Sequence, residues 1–235
     1  MDPENGGAPF RGVFAIPPTP FTETGLLDLD SLRRCVEFCV DRGSHGLVAP
    51  VNASEFAVLT DTERLTVAEV LAKQVAGRIP LIVGVAAPST AAACYFARHA
   101  VEIGASAVIA MPPYVRHPTA REVPLFYSVL AEAAKPLPVW IQHYQPPLGM
   151  PMSPELIASM LGSIEGVDYL KEESAYAPQM MTEVQAIAGP ALKGMMGGMA
   201  GRYLPEEHRR GASGTMPACE VVDVHARIWN LGMIT

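Results

Sequence analysis

The sequence is poor in cysteine, in charge and above all in lysine. Its 235 residues hold four cysteines, Cys35, Cys39, Cys94 and Cys219, and no C-x-x-C pair. A chain this long and this apolar does not need a disulfide framework, and the four read as buried free thiols. Only 17% of residues are charged, with a formal net charge of −7 and no basic run. Nucleic acid and anionic membranes are poor partners for such a surface. No apolar stretch approaches the roughly 20 residues of a membrane span. The segment from Met1 to Gly7 has neither the basic start nor the apolar core of a signal peptide. The chain therefore reads as cytoplasmic, with residues 1–9 as a flexible N-terminal tail.

What is present is a hydrophobic fraction of 49%, enough for one large core. Eight short apolar runs fall at 13–16, 46–51, 81–85, 107–111, 139–143, 169–172, 192–196 and 214–217. Most are continuously apolar, as strands buried on both faces of a parallel sheet are. Helical patterns alternate with them. Leu29, Leu32, Val36 and Cys39 recur at helical spacing after Asp28 or Asp30 as N-cap. Further helices are predicted over 62–76, 89–103, 120–134, 153–161 and 178–187. Gly43, Gly77, Gly104, Gly189 and Gly211 punctuate their ends. Eight β–α pairs predict a single (β/α)8 TIM barrel over 1–235, with 220–235 as the last barrel helix and chain end. An open doubly wound sheet is the alternative, but no Gly-rich dinucleotide fingerprint follows the first strand. The glycine-rich stretch 194–201 lacks the Lys-Ser/Thr ending of a phosphate loop.

In such a barrel, chemistry sits at the carboxyl ends of the strands. Of four lysines, Lys73 falls within a helix, Lys135 in a turn and Lys193 at a strand start. Lys171 alone stands near a strand end. Burial lowers a lysine's pKa, and the neutral amine is what attacks a ketone. The competing reading is a structural ion pair with Glu172 or Glu173. The fifth strand ends in His143 and Tyr144, which point to opposite faces if the strand runs through them. One of the two can face the barrel mouth as a proton carrier. The second strand ends in Asn52, Ala53 and Ser54, small residues whose backbone N–H groups can hold a carboxylate. Tyr114, after the fourth strand, is a further residue for the site mouth.

These residues together resemble the dihydrodipicolinate synthase / N-acetylneuraminate lyase superfamily. Residues 12–21 match its opening strand, ending in Thr19, Pro20 and Phe21. Residues 51–55 lie where the family carries Gly-Thr-Thr-Gly-Glu. Pro112, Pro113 and Tyr114 resemble its Pro-Tyr-Tyr, and residues 169–173 resemble its Ile-Lys-Glu strand. The resemblance implies that Lys171 forms an imine with a 2-keto acid. It implies that Thr19 and Gly197 join Asn52, Ala53 and Ser54 in binding substrate. It also implies a homo-oligomer, dimer or tetramer, in which Tyr114 completes its own site or a neighbour's.

Two departures bear on the reaction. Counted back from Lys171 without gaps, His143 stands at the family's relay tyrosine, and Ala53 replaces the threonine linked to it. Both relay partners are altered together. Residues 142–149 and 211–217 resemble instead the branch acting on 2-keto-3-deoxy sugar acids. The family also continues into a C-terminal helical domain, which is largely missing here. The expectation is thus a Schiff-base-forming aldolase or dehydratase needing no cofactor and no metal. A non-catalytic or truncated keto-acid-binding barrel is one alternative. A metal-dependent aldolase drawing on Glu55, His143, Glu172 and Glu173 is another, without H-x-H or H-E-x-x-H spacing to support it.

Overall fold

The structure, a computed structural model, describes residues 10–232. The tail expected over 1–9 lies outside them. Eight parallel strands close into a barrel in sequence order. They are β1 (Gly12–Ala15), β2 (Gly46–Ala49), β3 (Leu81–Gly84), β4 (Ala107–Ala110), β5 (Val139–Tyr144), β6 (Val167–Glu173), β7 (Gly194–Gly197) and β8 (Gly214–Thr215). Every residue of β1 to β4 is buried, as the unbroken apolar runs predict.

The helices between them are α1 (Leu29–Asp41), α2 (Asp61–Val75), α3 (Thr90–Glu102), α4 (Val123–Ala134), α5 (Pro154–Ser163), α6 (Ala177–Ala188), α7 (Leu204–Arg209) and α8 (Val222–Asn230). Their starts are set by side chains that accept the first free N–H groups. Asp28 caps α1, Ser89 caps α3 and Ser153 caps α5. Thr60 and Glu63 close a full capping box on α2. Gly43 and Gly104, with φ of +85° and +75°, let the chain reverse after α1 and α3.

Most element ends shift by one or two residues, and two features depart further from the expectation. The fourth helix begins at Val123 because Glu122 accepts bonds from the Thr119 N–H and hydroxyl, holding the preceding loop. The short α7 lies in a stretch without long apolar periodicity, and the sequence does not announce it.

Inside the barrel, Phe10, Phe14, Ile82, Ile109, Trp140 and Tyr169 form a separate apolar cluster. Trp140 stacks on Tyr169 at 4.7 Å, and Phe10 meets both edge-on. The rest of the core lies between strands and helices. Side chains such as Trp140, Phe14 and Ile109 are fully buried, each stabilising the fold by about 1.5–3 kcal/mol before entropy is counted. The aromatic layer fills the amino half of the barrel. Above it, toward the strands' carboxyl ends, the interior turns polar. Among the described residues no helix is long and apolar enough to cross a membrane.

Candidate active site

The polar layer begins directly above Trp140 and Tyr169. In a strand, residues two apart share a face. Trp140 and Tyr169 face the barrel axis, so Gln142 and Tyr144 on β5 and Lys171 and Glu173 on β6 do too. The register places Gln142 beside Lys171 and Tyr144 beside Glu173.

Lys171 is 1% exposed. Its Nζ lies 2.9 Å from Glu173 Oε2, and Gln142 Nε2 donates to the same oxygen at 2.8 Å. A lysine without a charge partner would be costly at this depth, and Glu173 supplies that partner. The ion pair is therefore made to Glu173 and not to Glu172. Lys73, Lys135 and Lys193 are all largely in solvent.

The opposite face of the same two strands carries a second pair. His143 is 2% exposed, and its Nδ1 lies 2.7 Å from Glu172 Oε2. The Met152 N–H donates to His143 Nε2 at 3.1 Å. An imidazole accepting at Nε2 is protonated at Nδ1, so Nδ1–H donates to Glu172. The other Glu172 oxygen accepts from the Ser174 N–H at 2.7 Å. Every polar atom of His143 is engaged behind the barrel wall. This placement differs from the expectation that His143 can carry protons at the mouth. It is Tyr144, half-buried, that belongs to the Lys171 face.

Glu172 and Glu173 have a third carboxyl beside them. Glu207 of α7 is fully buried, and neither of its oxygens has a partner among the described residues. Burial, then the charges of Glu172 and Glu173, push its pKa up to about 8. It stands protonated at neutral pH. Gly197 backs onto this carboxyl, where a Cβ would overlap it. It is Gly198 that faces Glu173. Gly197, expected among the substrate-binding residues, thus lies against Glu207, and its neighbour Gly198 against the carboxylate beside Lys171.

The other expected residues gather at the same end of the barrel. Thr19 donates its hydroxyl to the Ser54 carbonyl at 2.7 Å, and Ser54 donates its own to the Pro17 carbonyl at 2.9 Å. Both hydroxyls stitch the loops after β1 and β2 together. The Ser54 N–H is bonded to Val51. Asn52 differs: both atoms of its side-chain amide are buried and unpaired among the described residues. Buried amides rarely stay unpaired. Ala53 is exposed beside it. Tyr114 packs edge-on against Phe56 at 5.6 Å, and burial raises its phenol pKa. A cavity of about 1110 Å³ lies at the other end of the barrel, lined by Phe10, Pro80, Leu137, Tyr169 and Lys193. The aromatic layer separates it from Lys171, and the amino end of a barrel serves stability.

Sequence reasoning missed Gln142, Gly198 and Glu207, and saw Glu173 only as an ion-pair partner or metal ligand. The period of two from Lys171 was the available signal for Glu173. Nothing in the sequence links Glu207 to Glu172 and Glu173. Of the four groups named as metal ligands, His143 and Glu172 lie outside the barrel wall and Glu173 inside it, and among the described residues no three such groups are placed to hold a metal ion.

The profile of the Dihydrodipicolinate synthetase family matches residues 9–222. The chain is 36% identical over 211 residues to an L-2-keto-3-deoxyarabonate dehydratase from Azospirillum brasilense, covering 88% of this chain and 67% of that protein. It is 31% identical over 180 residues to a 4-hydroxy-tetrahydrodipicolinate synthase from Trichlorobacter lovleyi, covering 77% and 61%. The crystal structure of a dihydrodipicolinate synthase from Rhodopseudomonas palustris superposes with a TM-score of 0.86 at 27% identity, over 97% of this chain and 77% of that one.

Proposed function

Since the chain belongs to the dihydrodipicolinate synthetase family, we propose that it is a Schiff-base-forming lyase of 2-keto acids. Pyruvate or a 2-keto-3-deoxy sugar acid is the substrate class, and Lys171 the nucleophile. One observation carries the reading. Lys171 is a lone buried lysine at a strand's carboxyl end, with a carboxylate 2.9 Å from its amine.

The amine gives up a proton and its lone pair attacks C2 of the keto acid. Water then leaves and a protonated imine forms, which draws electrons from the adjacent carbon. Loss of a C3 proton gives an enamine that can expel a hydroxyl, the dehydratase outcome. Breaking of the C3–C4 bond instead is a retro-aldol. The likeness to the arabonate-derived keto acid dehydratase favours dehydration of a deoxy sugar acid. The substrate carboxylate is held by the Asn52 amide and by the N–H groups of Asn52 and Ala53. Tyr144 lines the Lys171 side of the site and Tyr114 its rim. His143 positions Glu172. No metal or organic cofactor enters this scheme.

Cytoplasmic residence and homo-oligomerisation belong to the same proposal. The four free thiols suit a reducing compartment. The exposed Leu125 and Val129 on α4 and Tyr95 on α3 suit a contact between copies.

Borohydride trapping tests the reading. The protein is incubated with pyruvate, and separately with 2-keto-3-deoxy sugar acids, reduced, and mapped by mass spectrometry. The expected result is a stable adduct on Lys171, absent in Lys171→Ala. A folded sample that yields no adduct with any of these acids overturns it.

A further inference from the structure

We infer that Glu173 is a catalytic residue, the base that takes the C3 proton from the Lys171 imine and the acid that returns it. This rests on the proposed imine chemistry and adds to it the identity of the group that moves protons.

Three features of the layer around Lys171 single out Glu173. It is the carboxylate in contact with the reacting nitrogen, at 2.9 Å, which sets it beside C2 and the adjacent C3 once the imine forms. Its two oxygens are in different situations. Oε2 is held by Gln142 and Lys171, whereas Oε1 makes no hydrogen bond among the described residues. Oε1 points at Gly198, where any side chain would overlap it. The carboxylate is therefore anchored by one oxygen and left free at the other, as a general base requires.

The neighbouring ionisable groups are otherwise engaged. Glu172 is committed through both oxygens to His143 and the Ser174 N–H. Glu207 lies behind the wall with Gly197 and has no bond to Lys171. His143 has both nitrogens bonded on the far face. Gln142 carries an amide, which does not ionise and cannot serve as acid or base. Tyr144 remains as the competing carrier on the same face.

The step balances within the site. Glu173 takes the proton on C3, and the C3–H electron pair becomes the C2=C3 bond of an enamine, leaving the nitrogen neutral. When C4 bears a hydroxyl, the protonated Glu173 gives that proton to the C4 oxygen. The C4–O bond breaks, the enamine electrons form C3=C4, and water departs. The nitrogen regains its iminium charge, ready for hydrolysis.

Pyruvate separates imine formation from proton transfer. The wild-type protein, Glu173→Gln, Glu173→Asp and Tyr144→Phe are each incubated with pyruvate in D2O. Methyl-proton exchange is followed by NMR, and the Lys171 adduct is trapped with borohydride at end point. Glutamine keeps the shape of the side chain and can still accept from Gln142. The expected result for Glu173→Gln is a retained adduct with exchange slowed about 100-fold or more, the scale of general acid–base catalysis. Glu173→Asp is expected to recover part of the exchange. Exchange at the wild-type rate in Glu173→Gln, with its adduct intact, overturns the assignment. So does exchange lost in Tyr144→Phe alone. Absence of any adduct in the wild-type protein instead defeats the imine reading beneath it.

Discussion

Gly198 lies against the Glu173 carboxylate so closely that a Cβ at 198 would overlap it. The bare backbone at this point lets the carboxylate stand beside Lys171. Gly198→Ala is expected to push Glu173 off that position while leaving the barrel folded. A displacement of about 1 Å in a catalytic group can slow a reaction by roughly 100-fold. Pyruvate methyl exchange in the variant is expected to fall on that scale, with circular dichroism unchanged. Gly197→Ala makes the contrast, because its Cβ would strike Glu207. Overpacking of that kind costs about 1–3 kcal/mol, so urea denaturation should register it. Equal exchange in Gly198→Ala and wild type would contradict the steric argument.

His143 is bonded on the outer face, to Glu172 and to the Met152 N–H. His143→Ala leaves the buried Glu172 with only the Ser174 N–H and strips the Met152 N–H of its partner. Leaving buried groups unpaired costs about 1–3 kcal/mol, more where a charge is involved. The thermal midpoint should drop accordingly. Per folded molecule, the Lys171 adduct and the methyl exchange are expected to persist, measured at a temperature where the variant is folded. Exchange lost in a folded variant would instead make His143 the proton carrier.

The two strand faces explain what could be read from the sequence. The eight apolar runs and capped helices reach the structure because each obeys a local rule of period or capping. Asp28, Ser89 and Ser153 each cap a helix. Lys171 stands out because a lysine inside an apolar strand has few benign explanations. The choice between His143 and Tyr144 was open because it depends on register. Counting back from Lys171 without gaps selects His143. A register irregularity between β5 and β6 at Val139 and Trp140 sets Gln142, not His143, level with Lys171. A shift of one residue flips a side chain to the other face. Glu207 was illegible for a different reason. It packs behind β7 from α7, a six-residue helix whose packing against β7 and β8 leaves no periodic trace.

Glu207 makes stability depend on pH in a direction opposite to the usual carboxylate. Its folded pKa is pushed up to about 8 from an ordinary 4.5, chiefly by burial. Between those values the folded state holds a proton that the unfolded chain has released. Stability therefore falls as pH rises through this window, and the loss is complete above the folded pKa. The slope corresponds to roughly 3–5 kcal/mol in all. Glu207→Gln keeps the shape and removes the titration. Burial lowers the pKa of His45 and His225, which raises stability with pH over the lower part of the same range. The difference between wild type and variant cancels that contribution. Urea denaturation at pH 5 and pH 8 is expected to show Glu207→Gln gaining on wild type as pH rises. A constant difference between the two proteins would mean that Glu207 is ionised in the fold, with a partner near its oxygens that offsets the burial.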